Sequence, residues 1–239
     1  MRNQAGEPPL AQRAAAEFTG TALLLAAVVG SGIMAERLSG GTVALALLAN
    51  SIATGATLAT LIASFQSVSG AHFNPIVSIE AAARSGLAWT DTWVYVGMQA
   101  TGAFAGVLIA NLMFDGAAYS LAEHHRSGAG QYLGEAVATF GLFVVIRRCA
   151  RDRPAAVAPA VGAYILGAYW FTSSTSFANP AVTVARAFTN TFAGISLGDV
   201  PAFCVSQIAG AVIAVAFMRV FDAAPATAIG TDTQEDRVG

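Results

Sequence analysis

The chain has 239 residues, of which 55% are hydrophobic and only 11% charged, against about 25% charged in an ordinary soluble domain. A net charge of −2, from 12 arginines and 14 acidic residues, excludes the basic footprint of a nucleic-acid binder, and the apolar content excludes a disordered chain. Two cysteines and three histidines are too few for a disulfide scaffold or a dedicated metal site. The composition is that of a membrane protein.

Residues 1–10 read as a polar, disordered tail, unlike a secretory leader. A spanning helix needs about 20 mostly apolar residues, and the gaps between charges set out the plan of a single domain over residues 11–222. Phe18 to Ala35, Thr92 to Phe114 and Val200 to Met218 are charge-free single spans, and Gln131 to Ile146 is a fourth apart from Glu135. Two gaps have another length: Leu38 to Ile79 is 42 residues and Pro154 to Ala185 is 32. Each is too long for one span and too short for two, and fits a span followed by a half-helix that re-enters from the same side. Irregular backbone at membrane depth is tolerated where it is buried or lines a wet cavity, so two such pieces predict a pore or substrate site. Residues 223–239 read as a second tail. With six crossings both termini share a side. Arg2, Arg13, Arg84, Arg147, Arg148, Arg151, Arg153, Arg219 and Arg237 fall there, against Arg37, Arg126 and Arg186 opposite, which predicts cytoplasmic termini.

The halves, about 11–114 and 131–221, match each other. Glu17-x-x-x-Thr21 recurs as Glu135-x-x-x-Thr139, Asn74-Pro75 as Asn179-Pro180, and Gln99-x-x-Gly102-Ala103 as Gln207-x-x-Gly210-Ala211. Three spans per half make the second half enter from the opposite face, an inverted repeat whose broken helices meet near the midplane. Pro at the first helical position with Asn before it starts a helix. Each half-helix then aims its positive end at the membrane centre, a barrier to cations and protons. Asn74 and Asn179 are pore donors on this reading, and helix caps only on the plainer one. Glu17 and Glu135, inside spans, are either supports for the re-entrant loops or a proton relay. His72 either lines the inner pore or packs. Cys149 and Cys204 fall near opposite faces and read as free thiols. No nucleophile with a partnered base and no nucleotide fingerprint is present, so no catalysis is expected.

Ser69-Gly70-Ala71-His72-Phe73-Asn74-Pro75 and Asn179-Pro180-Ala181, with the paired Glu and Gln-x-x-Gly sets, resemble the aquaporin or major intrinsic protein family over about residues 11–221. The resemblance implies an all-α channel of six spans plus two half-helices and a homotetramer in the inner (plasma) membrane, without cofactor or metal. Glu17 and Glu135 would support the pore loops through hydrogen bonds. The sequence departs from the common pattern at the constriction. Val182 follows the second box where most relatives carry Arg, and Ile76 ends the first box where they carry Ala. Counting from the boxes puts Thr54, Gly167 (with Leu166 and Ala168 adjoining) and Ser176 at the other filter positions, a wide and weakly polar set. Asn-Pro-Ala-Val-Thr-Val-Ala-Arg is similar to a bacterial subgroup associated with arsenic resistance. That implies neutral trivalent arsenicals, inorganic or methylated, beside glycerol-like polyols and some water. A water or glycerol pore with a non-standard filter is the alternative, and a proton-coupled transporter a further one. Arg186, one turn beyond Val182 on the same face, either hangs into the outer vestibule or anchors at the interface.

Overall fold

The computed structural model describes residues 8–222. The expected tails fall largely outside them: residues 1–7 and 223–239 are not described, and the first helix begins at Leu10. Eight α-helices follow in order: α1 Leu10–Leu38, α2 Val43–Ser69, α3 Pro75–Ala83, α4 Trp89–Met113, α5 Ala129–Asp152, α6 Val157–Phe171, α7 Pro180–Arg186 and α8 Val200–Asp222. Six of them are long and apolar enough to cross a membrane, α6 and α8 with the 3₁₀ turns at Pro154–Ala156 and Leu197–Asp199 before them. The other two, α3 and α7, are the half-helices, with 9 and 7 residues.

Both over-long charge-free stretches therefore resolve into a span and a half-helix. Chemistry local to the chain sets the breaks. Gly70 ends α2 in the left-handed region at φ 85°, where glycine carries no Cβ penalty, and donates its N–H to Gln66 O. Pro75 and Pro180 occupy the first position of α3 and α7, where a missing N–H costs nothing. The spans outrun their charge-free windows because the charges inside them find partners. Arg13, in the first turns of α1, donates from Nη2 to Asp91 Oδ2 of α4 at 2.7 Å.

The two halves pack alike. Helix α1 lies along α4, α5 lies along α8, and α2 meets α6 across the repeat boundary. Small residues bring the first two pairs together. A Cβ on Gly102 would stand 2.5 Å from Phe18 O, and one on Gly210 would stand 2.2 Å from Ala136 O, so matching glycines set matching approaches. The bundle turns Leu23, Ile109, Val205, Val212 and Val220 outward, an apolar coat suited to lipid. Inside, Leu24, Val28, Leu142, Val161 and Ile165 join one core cluster with Ala181 of the second box and Val182 just after it. The fold is an all-α inverted repeat, with α3 and α7 entering head to head.

Candidate functional site

The site begins with two caps. Asn74 Oδ1 accepts from Ile76 N at 3.1 Å, and Asn179 Oδ1 accepts from Ala181 N at 3.0 Å and Val182 N at 3.4 Å. Both asparagines do more than cap. Asn74 Nδ2 donates to Ala178 O at 2.8 Å and Asn179 Nδ2 donates to Phe73 O at 2.7 Å, so each half-helix is tied to the loop that leads into the other. Phe73 and Ala178 have φ of 48° and 49°, a strained region for a non-glycine, and it aims their carbonyls at the opposite amide. A side-chain amide has two N–H groups. One goes to the crossing bond, and the second remains for the cavity that both asparagines line.

Two fully buried carboxylates hold the loops. Glu17 Oε1 accepts from His72 N at 3.0 Å and Ser69 Oγ at 2.6 Å, and its Oε2 accepts from Phe73 N at 2.7 Å and Gln99 Nε2 at 2.8 Å. Glu135 Oε1 accepts from Phe177 N at 2.8 Å, and its Oε2 accepts from Ala178 N at 2.9 Å and Gln207 Nε2 at 2.6 Å. The glutamines complete the mirror: Gln99 also donates to Ser78 Oγ of α3, and Gln207 to Thr183 Oγ1 of α7. The repeated glutamates, asparagines and glutamines thus sit in one network per half, Asn74 O and Asn179 O accepting from the same Ser78 and Thr183 hydroxyls, while the buried hydroxyls of Thr21 and Thr139 have no protein partner.

A cavity of about 380 Å³ runs past these loops, from Glu80 and Arg84 at one end to Tyr169 and Arg186 at the other. Leu24, Val28, Ile62, Val161 and Ile165 form its apolar wall. The loop segments Gly70–Asn74 and Ser176–Asn179 supply the polar stripe. His72 lines the inner part, its Nδ1 3.0 Å from Ser78 Oγ. Thr54, Ser176 and Val182 also line it, whereas Ile76, Pro75, Pro180 and Ala181 lie behind.

Gly167 is a correction: it is absent from the wall, and Tyr169 takes the α6 place, its hydroxyl 3.3 Å from Thr54 Oγ1. The buried stripe of α6 runs through Val157, Ala158, Val161, Gly162, Ile165, Ala168 and Tyr169. Helical periodicity read along that segment leads to Tyr169, while counting back from the box lands two residues short.

Arg186 is 2% exposed. Its Nε donates to Ala193 O, its guanidinium carbon lies 3.4 Å from the centre of the Phe177 ring, and it contributes to the cavity wall. Arg186 thus both pairs with the loop after α7 and reaches the cavity. Sequence reasoning passed over Phe177 and Arg126, whose importance comes from loop packing that no local pattern encodes. Among the described residues no group of His, Cys, Asp and Glu is placed to hold a metal.

Two half-helices meeting inside a six-span bundle, beside a cavity with an apolar wall and a polar stripe, define the architecture of a membrane channel. The chain matches the Major intrinsic protein family over residues 5–172. It is 51% identical over 210 residues to the aquaglyceroporin AqpS of Rhizobium meliloti (strain 1021), covering 88% of this chain and 90% of that protein. It is 30% identical over 190 residues to the probable aquaporin TIP1-2 of Oryza sativa subsp. japonica, covering 74% of each. The X-ray structure of the aquaglyceroporin from Plasmodium falciparum shares the fold at a TM-score of 0.69 and 22% identity, over 90% of this chain and 96% of that one. The chain belongs to the major intrinsic protein, or aquaporin, family: it is an integral membrane channel and not an enzyme.

Proposed function

We propose that the channel passes small uncharged solutes down their gradients: trivalent arsenicals such as arsenite and its methylated forms, glycerol-like polyols, and some water. One observation carries the reading. At the outer end the wall is amphipathic, with Thr54, Tyr169, Ser176 and Arg186 as polar groups beside the apolar Val182 and Phe177. Ser176 Oγ is buried there without a protein partner. A solute bearing hydroxyls on one edge and a less polar body on the other matches such a wall, and neutral arsenic hydroxides and polyols share that shape. The likeness to a protein described as an aquaglyceroporin supports the same class.

A specific observation also supports the second reading, an ordinary water or glycerol pore: Arg186 stands in the wall and so restores a cation near the place that Val182 leaves without one. A proton-coupled transporter draws no support from Glu17 and Glu135, because both carboxylates are filled by loop donors. The channel on this reading is a homotetramer in the inner membrane with both termini in the cytoplasm.

Stopped-flow light scattering on proteoliposomes tests it, with water, glycerol and arsenite as permeants for the wild type and Val182→Arg. Fast glycerol and arsenite flux in the wild type, falling about tenfold in the variant, is the expected result, equivalent to roughly 1.4 kcal/mol on the barrier. Water flux without solute flux overturns the solute reading and leaves the narrow pore.

A further inference from the structure

The outer end carries a second arginine outside the cavity wall. Arg126, in the segment between α4 and α5, is 8% exposed although the residues before it, Glu123 to His125, are exposed. Its Nε donates to Gly194 O at 2.8 Å, its Nη2 to Phe192 O at 3.2 Å and its Nη1 to Thr175 Oγ1 at 3.4 Å. Its backbone N–H donates to Asp199 Oδ2 at 2.8 Å, which fixes the segment from the other side.

Two features tie this residue to Arg186. The carbonyls of Phe192, Ala193 and Gly194 are consecutive; Arg126 holds the outer two and Arg186 the middle one. Both guanidinium groups also lie against the ring of Phe177, with the carbon of Arg186 3.4 Å and that of Arg126 5.2 Å from its centre. The ring beside two cations, and the carbonyl row gripped by the same two, make one connected unit. Its members come from the α4–α5 segment, the loop before α7, the last residue of α7 and the loop after it. Burial lowers the Arg126 pKa to about 10, so the group keeps its charge at neutral pH.

We propose that Arg126 is a positioning residue for the outer constriction: it fixes Phe177 and the carbonyl row 192–194, and so keeps Arg186 in the cavity wall. This inference rests on the solute-channel reading above. The fork of a guanidinium matters, since two carbonyls and a hydroxyl are reached from three nitrogens at fixed angles. A lysine keeps the charge and cannot span all three. Selectivity then depends on a side chain that no permeant touches.

The test is the permeability per channel to water, urea, glycerol and a four-carbon polyol, normalised to the amount of folded channel in each vesicle. Arg126→Met, Arg126→Lys, Arg186→Met and the double Met variant are compared with the wild type. Losing the clamp in Arg126→Met frees the constriction and raises the glycerol-to-water permeability ratio about 3- to 10-fold, in the lower part of the range of coupling between neighbouring side chains. The four-carbon polyol becomes permeant, and Arg126→Lys falls between the two. Arg186→Met shifts the ratio in the same direction, and adding Arg126→Met to it changes nothing further.

Two results overturn the inference. One is a wild-type ratio per channel in Arg126→Met, with only the yield of folded protein reduced. The other is a shift of undiminished size on the Arg186→Met background, which makes the two arginines independent. Wild-type vesicles that pass water but no solute above the lipid background sink the channel's solute reading itself, a failure distinct from these.

Discussion

The two buried glutamates show how much one side-chain choice decides. In each, the two carboxylate oxygens bond different backbone N–H groups: His72 and Phe73 on Glu17, Phe177 and Ala178 on Glu135. A glutamine has a single carbonyl oxygen, so Glu135→Gln or Glu17→Gln satisfies one N–H and turns an amide donor on the other. An unmade bond to a buried donor costs about 1–3 kcal/mol. The loss falls on the residues just before Asn74 and Asn179, where the backbone is already held at positive φ. Both variants are therefore expected to lower the Tm of the detergent-solubilised channel by several degrees, measured by intrinsic fluorescence. If both melt like the wild type, the carboxylates do not hold the loops.

At the scale of elements, close approach between helices is decided by what is missing from a side chain. Gly97 and Gly210 make a controlled pair, one on α4 and one on α8. A Cβ on Gly210 would sit 2.2 Å from Ala136 O of α5, whereas a Cβ on Gly97 would have nothing within 4 Å. Gly210→Ala must part α5 from α8 and is expected to cost about 1–3 kcal/mol in overpacking. Gly97→Ala gains helix propensity of up to about 1 kcal/mol. Melting curves of the two variants in opposite directions are the expected outcome; equal destabilisation would place the effect outside helix contact. These elements were largely legible from charge spacing, because a charge without a partner cannot stay in lipid. The same logic misjudged their ends. Arg13 and Glu17 lie inside α1, where Asp91 and the loop N–H groups answer them, and such partners are invisible along the chain. The asparagines and the repeat were legible because capping and inverted symmetry are local patterns. Phe177 and Arg126 were not, since their places follow from loops folding against one another; Tyr169 was missed because counting back from the second box stops two residues short of it on the buried stripe of α6.

Across the whole molecule the arginines divide into two ends, and that division carries the orientation. At one end Glu80 pairs with Arg84 at 2.7 Å and with Arg147 at 3.6 Å, and Arg148 pairs with Asp152. At the other, Arg37 lies over Phe114 and donates to its carbonyl, and Arg126 and Arg186 flank Phe177. We propose that the richer end faces the cytoplasm, because cations beside spanning helices resist translocation. Helix α4 connects the two ends, from Ala88 just before it to the exposed loop residue Ala117 just after. In a background with Cys149 and Cys204 changed to Ser, Ala117→Cys is expected to react with a membrane-impermeant thiol reagent applied to right-side-out spheroplasts. Ala88→Cys is expected to react only after the membrane is opened. The reverse pattern would invert the channel and put the Arg126–Arg186 unit on the cytoplasmic side, where solute would meet it last on entry. Labelling of both from outside would mean that α4 does not cross, and the inverted repeat would go with it.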